Sequence, residues 1–197
     1  MADKHEKDLI EKSKKGDAQA FEELILSYQK KVLNLAYRML GSVSEAEDAA
    51  QEIFIKVFRS LYSFNEKSAF STWLYKVATN VCLDILRKRK RQNGGAMVSI
   101  NRYNADDDEY ELPIEDGAPS PHEEAQKKEA MRALKSALDL LSEEQRAVIV
   151  MRDINGLSYE EIADIAGCSL GTVKSRINRS RLALRKLLEK DKELFIK

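Results

Sequence analysis

Strand signals, disulfide candidates and membrane-spanning runs are all scarce in this chain. Among its 197 residues are only three prolines and eight glycines, most of them between periodic segments. Alternating β-branched runs and Asn-Gly hairpin turns are nearly absent, which argues against a sheet protein. No apolar run approaches the ~18 residues that a bilayer-spanning helix needs. The opening Met1-Ala2-Asp3-Lys4-His5-Glu6 is charged and has no apolar core, so it is not read as a secretory signal. Cys82 and Cys168 are the only cysteines, each in an apolar helical context with no second ligand type spaced for a metal. They read as reduced structural thiols of a cytoplasmic protein, and no metal or cofactor is expected. His5 and His122 stand isolated and are given no role.

Aromatics make up 7% of the chain and charged residues 34%. That balance suits small helical domains with wide solvated faces better than one large core. An excess of one charge sign is also missing, since 33 basic and 33 acidic residues cancel. Their distribution is uneven, however. Arg87, Lys88, Arg89, Lys90 and Arg91 form an unbroken basic run, and Asp106, Asp107, Asp108, Glu109, Glu111, Glu115 and Asp116 form an acidic stretch soon after. Lys174, Arg176, Arg179, Arg181, Arg185 and Lys186 make the C-terminal segment basic again. Two basic zones separated by an acidic tether sum to zero and can each still face a phosphate backbone.

Helix signals are dense. A short amphipathic stretch from about Glu6 to Lys14 stops at Gly16, and Asp17 caps a long helix. The apolar positions of that helix (Phe21, Leu24, Ile25, Tyr28, Val32, Leu35, Ala36, Met39) recur at steps of three and four, with Gly41 as its C-terminal cap. Ser44 with Glu47 is expected to be a capping box opening a helix to about Tyr62. After the polar loop Ser63 to Ser68, a third long helix runs from about Ala69 to Arg91. Residues Gln92 to Ser120 lack a period, are acidic and are broken by Gly and Pro, so they read as a flexible linker. Ser120-Pro121 restarts helix, Ser142-Glu143-Glu144-Gln145 and Ser158-Tyr159-Glu160-Glu161 are capping boxes, and Asn155-Gly156 and Gly167 are breaks. The expected fold is all-α: a helical domain over 1–91, an acidic linker over 92–120, and a four-helix domain over 121–197.

The segment Leu157 to Leu188 carries the layout of a helix-turn-helix: a short helix, the turn Ala166-Gly167-Cys168-Ser169, and a longer helix. At about 100° per residue, Val173, Ile177, Leu184, Leu187 and Leu188 share one face. Gly171, Ser175, Asn178 and Arg179 fall opposite. Arg179 is long enough to meet a guanine bidentately, and Ser175 and Asn178 suit base edges. Lys174, Arg176 and Arg181 are placed for phosphates.

Two patches of the first domain differ from ordinary surface. In the helix after Ser44, Ala46, Ala50, Ile53, Phe54, Val57, Phe58 and Leu61 fall on the arc read as buried. Asp48, Gln51, Glu52, Arg59 and an exposed Ile55 lie on the other side. An isoleucine ringed by polar groups has the composition of a protein-binding hot spot, although one exposed isoleucine is also normal surface. In the next helix, Trp73, Leu74, Val77 and Val81 point to the core. Thr72, Lys76, Asn80 and Arg87 line a different stripe that runs into the basic segment, an arrangement suited to single-stranded DNA. Phe64 and Phe70 flank the polar loop and are candidates for holding an unstacked base, with ordinary core packing the alternative for Phe70 and Trp73.

Together these residues resemble the extracytoplasmic-function sigma factors of the sigma-E and sigma-W type. Asp48-Ala49-Ala50-Gln51-Glu52-Ile53-Phe54-Ile55-Lys56-Val57-Phe58 is similar to the family's region 2.2. The resemblance implies that Asp48, Gln51, Glu52 and Ile55 dock on the clamp helices of core RNA polymerase. Ser68-Ala69-Phe70-Ser71-Thr72-Trp73-Leu74-Tyr75-Lys76-Val77-Ala78-Thr79-Asn80 resembles regions 2.3 and 2.4. This implies capture of the melted, single-stranded −10 element near Phe64, Lys76, Asn80, Arg87, Lys88 and Arg89, with Ser63 to Ser68 as the specificity loop. Leu141-Ser142-Glu143-Glu144-Gln145-Arg146 and Gly156-Leu157-Ser158-Tyr159-Glu160-Glu161-Ile162-Ala163 resemble region 4. The segment from Gly171 to Arg181 resembles its helix for duplex −35 DNA, which adds Thr172 to Lys174, Ser175, Arg176, Asn178, Arg179 and Arg181.

The resemblance further implies a polymerase flap contact, an anti-sigma factor that occludes both domains and tethers the protein near a membrane without insertion, and the minimal two-domain form. An acidic linker threading through polymerase is expected to mimic RNA phosphates. A stand-alone helix-turn-helix regulator is the alternative; it predicts tight duplex binding by the protein alone and a two-fold-symmetric site. Catalysis is not expected, because the only dense carboxylates lie in the linker rather than on an ordered wall.

Overall fold

The computed structural model describes residues 4–92 and 121–194. The acidic stretch expected as a linker, and the RNA-mimicry reading placed on it, lie outside the described residues.

Helix α1 (Lys4–Lys14) lays Leu9 and Ile10 against α2 (Ala18–Leu40). The Asp17 carboxylate starts α2 by accepting from the Gln19 and Ala20 amides at 3.0 and 3.1 Å, which otherwise lack intrahelical partners. Gly41 ends it in the left-handed region (φ 82°), with its N–H donating to the Tyr37 carbonyl. Helix α3 (Val43–Ser60) follows at once. The expected Ser44/Glu47 capping box is therefore corrected. The helix begins one residue before Ser44, and Ser42, the true boundary residue, makes no side-chain cap bond. A 3₁₀ turn, Leu61–Ser63, leads to the polar loop and then to α4 (Phe70–Gln92). Phe70, fully buried, packs edge-on to Tyr28 (5.4 Å between centroids) and locks α4 against α2.

The second domain comprises α5 (Pro121–Asp139), α6 (Glu143–Ile149), α7 (Tyr159–Ala166) and α8 (Leu170–Leu188), followed by a helical turn to Leu194. Both boxes expected here are formed. Ser142 pairs reciprocally with Gln145, and Ser158 with Glu161. Between α6 and α7 the chain widens into a π turn, Val150–Ile154, closed by Asn155 N–H to Val150 O at 2.9 Å. Arg152 braces it, donating to Leu157 O at 2.6 Å and lying 4.8 Å over the Tyr159 ring. Gly167 (φ 60°) makes the turn of the helix-turn-helix, and Ser169 caps α8 by accepting from the Thr172 amide. Val173 and Ile177 of α8 are buried with Ile162 and Ile165 of α7.

The sequence reads as two helical domains and leaves open how they sit relative to one another; the structure packs them together. One buried apolar cluster runs through both, from Leu24, Leu35 and Met39 to Val150, Met151 and Ile162. A smaller cluster, Leu138, Leu141 and Ile149, closes α5 and α6 beneath Leu184 and Leu187 of α8. Cys82 is buried, which pushes its thiol pKa up to about 12. No described helix is long and apolar enough to cross a membrane.

Candidate nucleic-acid and protein interfaces

On α8, Lys174, Ser175, Asn178, Arg179 and Arg181 are exposed, while Thr172 and Arg176 are half-buried. The turn geometry fixes this face, because Val173, Ile177 and Ser180 are drawn inward. Without DNA the polar groups fold along their own helix. Ser175 Oγ donates to Thr172 O (2.9 Å), and Arg179 Nε donates to Ser175 O (3.3 Å). Arg181 is different. It forms a two-point pair with Asp153 of the π turn, and hydrogen bonding to that carboxylate raises its pKa. The pair ties α8 to the π turn in the unbound protein.

On α3, Asp48, Gln51, Glu52 and Ile55 are all exposed, Ile55 by 51%. Glu52 pairs with Lys56 at 2.7 Å. The expected buried position of Phe58 is corrected, since it is 53% exposed. Its ring meets Phe21 of α2 edge-on, with centroids 5.0 Å apart. Tyr62, 79% exposed, lies one turn further on. Sequence reasoning passed over both. The signal was present, because Asp48, Gln51, Ile55, Phe58 and Tyr62 recur at steps of three and four on one helical line.

On α4, Lys76, Asn80, Arg87 and Lys88 are exposed. Arg87 lies 3.3 Å from Asp84, and the half-buried Arg89 pairs with Glu45 of α3. The structure divides the stripe expected here, because Thr72 is buried and donates to Glu161 of α7 at 2.9 Å. Phe64 is a further correction. It is 4% exposed and packs on Phe70 and Trp73, with centroids 5.6 and 5.3 Å away, so no face is open to a base. Lys14 of α1 sits 5.5 Å over the same ring and 3.6 Å from Glu66, bracing the loop from behind. The described residues contain no cluster of three or more histidine, cysteine or acidic side chains arranged to hold a metal.

An all-helical domain with a polar stripe running into a basic helix end, joined to a helix-turn-helix with an exposed basic face, defines a DNA-directed transcription factor. The family model for Sigma-70 region 2 matches residues 24–92, and that for Sigma-70 region 4 matches residues 131–184. The chain is 36% identical over 189 residues to the RNA polymerase sigma-H factor of Pseudomonas aeruginosa, covering 96% of each chain. It is 38% identical over 181 residues to the ECF RNA polymerase sigma factor SigW of Bacillus subtilis, covering 91% of this chain and 94% of that one. Among solved structures, the sigma factor RpoE of Bartonella quintana, in complex with the anti-sigma factor NepR, is similar at a TM-score of 0.67 and 28% identity. That match covers 87% of this chain and 98% of the other. The chain belongs to the extracytoplasmic-function RNA polymerase sigma factors, which direct promoter-specific initiation of transcription.

Proposed function

We propose a division of labour among three surfaces. The exposed line of α3, with Asp48, Gln51, Glu52 and Ile55, binds core RNA polymerase at its clamp helices. Phe58 and Tyr62 extend the same line. The N-terminal turns of α8 read duplex −35 DNA, with Ser175, Asn178 and Arg179 toward base edges and Lys174 and Arg176 toward phosphates. The exposed Lys76, Asn80, Arg87 and Lys88 of α4 hold the melted −10 strand. The domain limits follow the same division, with residues 1–91 and 121–197 as the working units. The protein supplies no catalytic groups of its own, because bond making belongs to the polymerase. It works in the cytoplasm, where an anti-sigma factor restrains it.

The observation that carries this reading is the coexistence, on one chain, of a solvent-facing Ile55 ringed by Asp48, Gln51 and Glu52 with a helix-turn-helix whose basic face is open. A stand-alone regulator needs only the second. Replacing Asp48, Gln51 and Ile55 together with alanine should abolish association with core enzyme. Run-off transcripts from a promoter library should disappear with it, while the helical content stays unchanged. Equal transcription by the triple variant is the result that would overturn the reading.

A further inference from the structure

The loop between the 3₁₀ turn and α4 holds a backbone position that residues with a side chain seldom adopt. Among the described residues Glu66 alone, glycines aside, has a positive φ, at 57°. There its Cβ crowds the following carbonyl, so the conformation persists only where the surroundings support it. Support comes first from within the loop. Phe64 is buried against Phe70 and Trp73, and the Lys67 amide donates to Asn65 Oδ1 at 3.3 Å, which bends the chain at Glu66.

The second support is Lys14, in the last turn of α1. Its ammonium lies 3.6 Å from Glu66 Oε1 and 5.5 Å over the Phe64 ring, so one cation touches both fixed points of the loop. Glu11 lies 3.5 Å from it on the helix side. The Lys14 side chain is only 19% exposed, which weakens screening of the pair. Helix α1 is a firm base for this cation. Leu9 and Ile10 are buried, Glu6 accepts from the Tyr28 hydroxyl, and His5 Nε2 lies 2.8 Å from Glu23. Asn65, Glu66 and Lys67 are thus exposed on a backbone held from behind.

We propose that Lys14 is a positioning residue for −10 recognition: through Glu66 and Phe64 it sets the loop conformation that presents Asn65 and Lys67 to the melted strand. The loop runs directly into α4, whose Lys76 and Asn80 are assigned to that strand, and this inference rests on that reading. An amide and an ammonium can meet base edges and phosphates, but only in the directions that the backbone gives them. Without Lys14, Glu66 relaxes toward negative φ and the side chains on either side of it turn away. Promoter choice then depends on a residue of α1, a helix outside all three surfaces assigned above.

The test uses the full chain at fixed salt. Lys14→Met removes the cation and keeps an apolar stem over Phe64, Lys14→Glu reverses the charge, and Lys14→Glu with Glu66→Lys restores an ion pair with its ends exchanged. Nuclear magnetic resonance reports the backbone order parameters of Asn65 to Lys67. Run-off transcription with core enzyme, on promoters randomised at the −10 element, reports base preference. The order parameters should stand near about 0.85 in the wild-type chain and fall below about 0.6 in both single variants. Preference for the best base over the next should drop about threefold, the size expected for a partly exposed ion pair. The exchanged pair should restore both, and circular dichroism should show the same helical content throughout. Order parameters that stay high in both single variants overturn the brace. Loosening without loss of preference overturns the positioning role. So does an exchanged pair that restores order but not preference, because the charge at position 66 would then act on the DNA directly. A wild-type holoenzyme with no −10 preference would instead count against the proposed function, and the order parameters would still judge the brace.

Discussion

At the scale of single residues, two buried arginines stand in contrast. Arg146 satisfies helix-end carbonyls of α5 and α2, while the Nε of Arg38, also buried, has no hydrogen-bond partner. Burial lowers the pKa of both guanidiniums. An unpaired buried donor is a cost that an apolar side chain of similar length does not carry. Arg38→Met is therefore expected to hold or raise the urea midpoint, and Arg146→Met to lower stability by about 2–3 kcal/mol. Equal losses in both variants would show that packing of the aliphatic stems, not hydrogen bonding, sets their value. Neither role was legible in the sequence, because an arginine in an amphipathic helix reads as surface until its neighbour is known. The same limit applies to two phenylalanines. Helical angle put Phe58 inside, and a place in the polar loop made Phe64 a candidate for a base, yet Phe58 is 53% exposed and the Phe70–Trp73 pair encloses Phe64. Residues that depend only on their own helix, such as Asp48, Gln51 and Ile55, were placed correctly on the exposed side.

At the scale of elements, local chemistry was the most readable signal. Asp17, Ser142, Ser158 and Ser169 each cap the helix they precede, because an Asp or Ser acceptor next to free amides is a contact made within four residues. The π turn was not legible, since an i+5 bond leaves no periodic mark in so short a span, and its contact with Arg181 joins residues 28 apart. For α8 this geometry separates two kinds of basic residue. Lys174 is exposed toward solvent, whereas the exposed Arg179 lies along the helix with its Nε donating to Ser175 O. Lys174→Ala should weaken binding of polymerase holoenzyme to every −35 sequence alike and reduce the salt dependence by about one phosphate contact. Arg179→Ala should relax preference at one base pair, at a cost of about 1–3 kcal/mol against the preferred sequence only. Filter binding across single-base variants at several salt concentrations distinguishes the two, and identical profiles would remove the distinction between base and phosphate contacts.

For the whole molecule, two helical domains were legible in the sequence, and their packing against one another was not. An acidic, Gly- and Pro-broken stretch between two helical patterns reads as a tether, but helix faces that meet across it leave no periodic trace of their partner. The shared cluster from Leu24 to Ile162 is expected to couple the unfolding of the two domains at neutral pH. Trp73, the only tryptophan, reports on the first domain, and far-ultraviolet circular dichroism reports on all the helices. Their urea transitions should coincide at pH 7. Acid should part them. Burial opposes ionisation of Glu161, but hydrogen bonds from Ser158 and Thr72 outweigh it and hold its pKa below the ordinary 4.5. A carboxylate depressed in the folded state contributes stability above its unfolded pKa, and that contribution is lost as pH falls through the folded value. As pH falls from about 4.5 through the lowered folded value, therefore, Glu161 keeps only neutral, weaker hydrogen bonds to Ser158 and Thr72, and the helical signal should begin to fall at lower urea than the Trp73 signal. In Glu161→Gln, where the amide keeps the box and does not titrate, the two curves should stay together on acidification. Transitions that already diverge at pH 7, or that part equally in the glutamine variant, would mean that the packed domains are not coupled through Glu161.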